Sequence, residues 1–267
     1  MLQKIWLQIT QEVRQHCIDE PMLASFLHAT VLKHSNLCDA LSYVLASLLD
    51  CPVLPSIAVR EIINEAYVAD HKIVRSAALD IVAFYERDPV CDQYSTPFLF
   101  LKGFHAMQTY RVAHWLWKQN RRPLARFLQS RSSSVFTVDI HPGAVIGSGI
   151  LLDHAHGLVI GETAVVEDDV SILHGVTLGG TGKETGDRHP KIRRGVLLST
   201  GATVLGNVEV GEDARVAAGS VVLEPVPAHV TVAGIPAHIV SSKPVSNGST
   251  HDCPAMNMDQ TLHHKKT

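Results

Sequence analysis

Neither sign of charge is in excess: 23 Lys and Arg face 26 Asp and Glu, a formal net charge of −3 over 267 residues. Gripping a nucleic-acid backbone or an anionic membrane takes a basic field, so neither is expected as a partner. Cysteine is sparse, and Cys17, Cys38, Cys51, Cys91 and Cys253 are odd in number, widely spaced and free of any CxxC pair. That excludes a disulfide framework and a zinc ribbon, and it reads as a reducing cytoplasm. Long apolar runs are missing as well. No stretch approaches the roughly 20 apolar residues of a membrane span, and the opening MLQKIWLQITQEVRQ is too often interrupted by polar residues for a secretory signal. What remains is the composition of a packed soluble protein, 46% hydrophobic and 18% charged, whose partners are small molecules or other proteins.

Two periodicities divide the chain. Up to about residue 135, apolar residues recur at three- and four-residue steps, as in Leu23, Phe26, Leu27, Thr30, Val31 and in Leu41, Val44, Leu45, Leu48, Leu49, which predicts helices. Pro52, Pro55, Pro89 and Pro97 break them into segments, and a further break is expected at Asn120 to Pro123. From Ile140 the period becomes six. Ile140, Ile146, Leu152, Ile160, Val166, Ile172, Leu178, Ile192, Leu198, Val204, Val210, Val216 and Val222 follow that step with two offsets, one between Leu152 and Ile160 and a longer one between Leu178 and Ile192. A six-residue period marks a β-helix in which three short strands make one triangular coil and equivalent side chains stack in columns. An ordinary sandwich would instead alternate with period two. The expected organisation is therefore α+β: a helical domain over 1–135, a β-helix over 136–240 with a protruding loop at 179–191, and a polar, flexible tail over 241–267.

The segments EPMLASFLHATVLKH (20–34), RDPVCDQYSTPFLFLKGFHAMQTYR (87–111), VDIHPGAVIG (138–147), LDHAHGLVIGETAVVEDDVSIL (152–173) and VTLGGTGKETGDRHPKI (176–192) resemble bacterial serine acetyltransferases, within the hexapeptide-repeat acyltransferase superfamily. The likeness covers residues 1 to 240. It implies a left-handed parallel β-helix and transfer of acetyl from acetyl-CoA to the L-serine hydroxyl, giving O-acetyl-L-serine on the route to cysteine. It also implies trimers with active sites between neighbours, joined by the helical halves into hexamers, and L-cysteine as a feedback inhibitor. Acetyl-CoA enters as co-substrate and no metal is expected. Many members end in an isoleucine that enters O-acetylserine sulfhydrylase, whereas this chain ends Lys265-Lys266-Thr267, which counts against that complex here.

Serine's hydroxyl needs a base to attack a thioester, and an imidazole suits that task. His154 sits where the repeat is interrupted and matches the family's base, and Asp139 matches the carboxylate that orients it. By the same resemblance Arg188 clamps the substrate carboxylate, Asp88 and Asp153 meet its ammonium group, and His189 adds a contact. TLGGTGK (177–183) is no phosphate loop, since Thr177 and Glu184 break that pattern. Gly179, Gly180, Thr181 and Gly182 are instead expected beside the pantetheine arm of CoA, with Ala218 and Gly219 towards its far end. A sugar acetyltransferase is opposed by the charged serine-binding set. A metal hydrolase like the γ-class carbonic anhydrases is the rival of another class, because counting one full coil stacks His174 over His154 with His156 nearby. His156 itself, and Ser199 with Thr200, depart from the family pattern.

Overall fold

The computed structural model describes residues 1–182, 185–242, 253–258 and 260. It divides into two compact units, Met1–Phe136 and Thr137–Thr267. Among the described residues no helix is long and apolar enough to cross a membrane.

The first unit is helical: α1 (Leu2–Asp19), α2 (Ala24–Leu27), α3 (Leu37–Leu49), α4 (Ser56–Ala69), α5 (Lys72–Arg87), α6 (Ser95–Phe100), α7 (Lys102–Lys118) and α8 (Arg122–Phe136). Asn36 caps α3 by accepting from the Asp39 N–H at 2.9 Å. The break after α7 falls as expected, with Asn120 at a φ of 60°. Pro97, by contrast, lies inside the first turn of α6, where the missing N–H would have had no intrahelical partner. The free N–H groups at that end are met from a distance, as the Glu12 carboxylate accepts from the Ser95 N–H at 2.8 Å. In the predicted apolar stripes Leu27, Val31, Leu41, Leu45 and Leu49 are buried, while Leu23, Phe26 and Leu48 lie exposed. One buried ion pair crosses the unit, Arg111 to Asp80 at 2.6 Å, with Gln108 donating to the same carboxylate oxygen.

Among its described residues the second unit is a parallel solenoid of fourteen short strands, β1 to β14, closed by an antiparallel β15. A first sheet holds β1 (Val138–Ile140), β4 (Leu158–Ile160), β7 (Thr177–Gly179), β10 (Thr203–Leu205) and β13 (Val221–Val222). A second holds β2 (Val145–Ile146), β5 (Val165–Val166), β8 (Lys191–Ile192) and β11 (Glu209–Val210). A third holds β3 (Leu151–Leu152), β6 (Ser171–Ile172), β9 (Leu197–Leu198), β12 (Arg215–Val216), β14 (Val230–Gly234) and β15 (Ala237–Ser242). The six-step anchors pair in columns: Ile140, Ile160, Leu178, Val204 and Val222 in the first sheet, and Leu152, Ile172, Leu198 and Val216 in the third. All are buried except Ile146, which ends the second sheet in the first coil and is covered from one side only.

The expectation of an unstructured tail from residue 241 is corrected at two places. Ser241 and Ser242 continue β15, pairing with Thr231 and Val230. Further on, α9 (Pro254–Asn257) docks on the solenoid, with the Ser171 hydroxyl donating to the Ala255 carbonyl at 2.9 Å and the Ala255 N–H to that of Gly195 at 3.3 Å. Small residues make this contact: Ala255 and Ser171 are fully buried, and a side chain on Gly195 would collide with Asp213 and Cys253.

Candidate active site

Both interruptions of the six-residue step fall at corners, where a coil can lengthen without breaking the stacked columns. The shorter one makes the turn from β3 to β4, at the corner between the third and first sheets, and carries Asp153, His154, Ala155 and His156. Two consecutive residues there, His154 and Ala155, take left-handed φ values of 54° and 52°, a conformation that costs an L-residue roughly 1–2 kcal/mol. The bend turns the imidazole outward, so its side chain is 76% exposed in the single chain. Asp153 is 3.7 Å from His154 Nε2, an ion-pair distance beyond hydrogen-bond length. Asp139 lies in β1, whose approach packs under this turn: the Gly157 N–H donates to the Thr137 carbonyl at 3.0 Å. Between buried Val138 and Ile140, Asp139 occupies the outward position of its strand.

His174 stacks where the coil count puts it, its ring centroid 5.8 Å from that of His154 and nearly perpendicular to it. His174 Nδ1 is buried with no hydrogen-bond partner among the described residues. His156 turns to the strand below, its Nδ1 3.1 Å from the Thr137 hydroxyl. Among the described residues of the single chain no three or more His, Cys, Asp or Glu gather as a metal site.

Above the histidines the same corner is paved with glycine. Gly157, Gly175, Gly201 and Gly219 have φ of 69°, 71°, 67° and 66°, and each sits over the last. A Cβ on Gly157 would stand 3.9 Å from the Gly175 Cα, one on Gly175 3.4 Å from the Gly201 Cα, and one on Gly201 4.0 Å from the Gly219 Cα. This leaves a side-chain-free track beside His154 and His174, along which an extended ligand can lie against backbone. Gly219 ends this column, and Ala218 directly precedes it. Gly157, Gly175 and Gly201 were not singled out from the sequence, although each directly precedes an apolar or small residue of the repeat. Thr200 directly precedes Gly201, and Ser199 is fully buried, with its hydroxyl unpartnered among the described residues.

The longer interruption, between β7 and β8, projects from a different corner, that between the first and second sheets. Lys183 and Glu184 lie outside the described residues. Gly179 closes β7, and a Cβ on Gly180 would stand 3.3 Å from the Arg188 carbonyl, so this stretch packs on its own returning limb. Thr181 and Gly182, the latter at a φ of 77°, are exposed in the loop, and the Thr181 methyl lies against Gly206. The expected CoA-binding residues 179–182 and Ala218–Gly219 thus occupy two corners of one chain. Arg188 meets the Glu162 carboxylate at 2.8 Å and the Gly186 carbonyl at 3.0 Å. The guanidinium hydrogen bond, with lesser help from the nearby charges, holds the Glu162 carboxyl below the ordinary glutamate range. His189 is only 7% exposed; burial first, and then the Arg188 charge, push its imidazole below the usual histidine value. Sequence reasoning passed over Glu162 and Thr163, which hold both residues, although GET stands one coil before the DRHP limb.

Asp88 belongs to the helical unit, where its carboxylate accepts from the Val90 N–H at 3.0 Å and so closes the turn after α5.

A profile described as "Serine acetyltransferase, N-terminal" matches residues 5–109. The serine acetyltransferase of Salmonella typhimurium is 59% identical over 266 residues, 98% of this chain and 95% of that one. Among solved structures, a serine acetyltransferase in complex with cysteine superposes with a TM-score of 0.94 at 54% identity, covering 98% of this chain and 100% of the other. Serine acetyltransferase from Brucella abortus strain S19 in complex with coenzyme A gives 0.89 at 51%, covering 91% and 97%. With the exposed imidazole, the glycine track and likeness over almost its whole length, the chain belongs to the serine acetyltransferase family.

Proposed function

We propose that His154 is the general base of the family's reaction, the transfer of acetyl from acetyl-CoA to the hydroxyl of L-serine, and that Asp139 orients it. The observation carrying this assignment is the outward imidazole, raised on two left-handed residues beside a track free of side chains. As the serine oxygen bonds to the thioester carbonyl carbon, His154 takes its proton. When the tetrahedral adduct collapses, the carbon–sulfur bond breaks, the thiolate leaves and the imidazolium returns the proton to sulfur. The thioester and pantetheine arm lie along Gly157, Gly175, Gly201 and Ala218–Gly219, with Gly179, Gly180, Thr181 and Gly182 lining the opposite side.

Arg188 and His189 stand on another corner of the solenoid from His154, with the first sheet between them. A second copy, offering its loop corner to the first copy's base corner, completes the site, which supports the trimer that the resemblance implies; pairing of trimers through helical units gives a hexamer. In the completed site Arg188 engages the serine carboxylate, and Asp153 and Asp88 the ammonium group. L-Cysteine, which differs from serine by sulfur for oxygen and is bound in a related structure, occupies the same place as an inhibitor.

The test is His154→Ala. Turnover falls by roughly 10²–10⁴ with coenzyme A affinity unchanged, read by thiol release and calorimetry. Near-normal turnover would refute the assigned base.

A further inference from the structure

We propose that Thr163 is a positioning residue that locks His189 as the Nε2–H tautomer, so that this second imidazole faces the reactants as a neutral hydrogen-bond donor and not as a base. The proposal rests on the acetyl transfer assigned above and adds the state and task of a residue that the transfer leaves open.

The backbone decides the tautomer. The Thr163 N–H donates to His189 Nδ1 at 3.2 Å, and an amide N–H has nothing to accept with, so Nδ1 must offer its lone pair. A neutral ring then carries its hydrogen on Nε2. The Thr163 hydroxyl points the same way. It accepts from the Arg188 N–H at 3.0 Å and from the His189 N–H at 3.1 Å, and stands 2.8 Å from Nδ1 with its own hydrogen left to give. Asp187 is also within reach of that hydroxyl, but the amide bond fixes Nδ1 as acceptor whichever way the hydroxyl turns.

The surroundings oppose a second proton on the ring. Burial, Arg188, Lys191 and His141 all disfavour the imidazolium, and Glu162 alone favours it. Gly161 supplies the seat: a Cβ there would stand 2.0 Å from His189 Cδ2 and 2.1 Å from Nε2, so the ring edge fills the space a side chain would take. Among the described residues Nε2 has no hydrogen-bond partner. A fixed donor at that atom is worth most where a reactant oxygen gains negative charge.

Glutamine places its amide N–H near the Nε2 position and asparagine near Nδ1, so the two substitutions separate the tautomers. His189→Gln is expected to keep kcat within about 10-fold of the parent, and His189→Asn to lose about 10² or more. The acid limb of kcat/KM against pH persists in His189→Gln, because the assigned base, His154, is untouched. Thr163→Val keeps the backbone N–H, so Nδ1 stays an acceptor, but it loses the hydroxyl that braces Nδ1 and the Arg188 and His189 amides; kcat falls by about 10-fold, and Thr163→Ser restores it to within about 3-fold. Should Thr163→Val fail to fold, two-bond proton–nitrogen spectra of histidine-labelled parent protein, with His189 assigned by its loss in His189→Gln, must show hydrogen on Nε2 alone. Equal or reversed Gln and Asn activities, a vanished acid limb in His189→Gln, an unaffected Thr163→Val, or an Nδ1–H signal would each overturn the proposal. Failure of the base assignment shows separately, as activity retained in His154→Ala.

Discussion

At one corner of the solenoid His154 stands 76% exposed on two left-handed residues; at another, His189 is 7% exposed and tied to Thr163 by amide and hydroxyl. The first corner aims its side chain with backbone geometry and clears the way ahead with glycine. The second uses a web of side chains in which Glu162 holds Arg188, Thr163 holds the returning limb, and Lys191 donates to the Thr163 carbonyl at 2.6 Å. A proton carrier must exchange with a reactant and gains from access; groups that hold a fixed charge or donor gain from rigidity.

The sharpest way to break this contrast is to roughen the open corner. Gly175→Ala would place a methyl 3.4 Å from the Gly201 Cα on a residue at a φ of 71°. Strain alone costs roughly 1–2 kcal/mol, and in the proposed site the methyl would lie in the path of the cofactor arm. We expect the KM for acetyl-CoA to rise about 10- to 100-fold with a much smaller change for serine; equal changes for both would remove the track from cofactor binding.

Arg188→Ala strikes the rigid corner. Hydrogen bonds to charged groups contribute about 1.5–3 kcal/mol, so the serine KM should rise roughly 10- to 100-fold while acetyl-CoA saturates as before. An unchanged serine KM would show that the guanidinium, already engaged by Glu162, serves only to fix the loop.

Acid is the gentlest probe. Both His189 and Glu162 have values below their ordinary ones, the first chiefly through burial and the second through its hydrogen bond to Arg188. Below each ordinary value the unfolded chain binds more protons than the folded one, so stability falls as pH falls. The contribution of His189 is complete above about pH 6.5 and fades below it; that of Glu162 is complete above about pH 4.3 and fades later. Glu162→Gln should therefore shrink the stability gap to the parent as pH drops from 6 to 3, measured by denaturant unfolding. A gap constant with pH would mean that the pair is too well screened to matter.

The coils were legible in the sequence because stacked columns demand a large apolar residue at every sixth position, whatever lies between. Both corners could be located for the same reason: an inserted residue has nowhere else to go. The contents of the corners were harder to read. Gly161 looks like any turn glycine until the His189 ring is seen in the space of its missing side chain, and Thr163 is a common residue whose hydrogen bonds to Arg188, His189 and Lys191 reach 25 to 28 positions along the chain. The short helix Pro254–Asn257 is not legible because composition reports solubility, whereas docking of Ala255 depends on the absence of bulk at Ser171 and Gly195.

The stacked glycines also act as a ruler. Neighbouring coils are separated by the inter-strand distance, about 4.8 Å, so the run from Gly157 to Gly219 measures three such intervals, about 14 Å along the axis. A pantetheine arm placed there as proposed would run past three coils from the histidines, which makes the number of coils, rather than any single contact, the measure of acyl-carrier length.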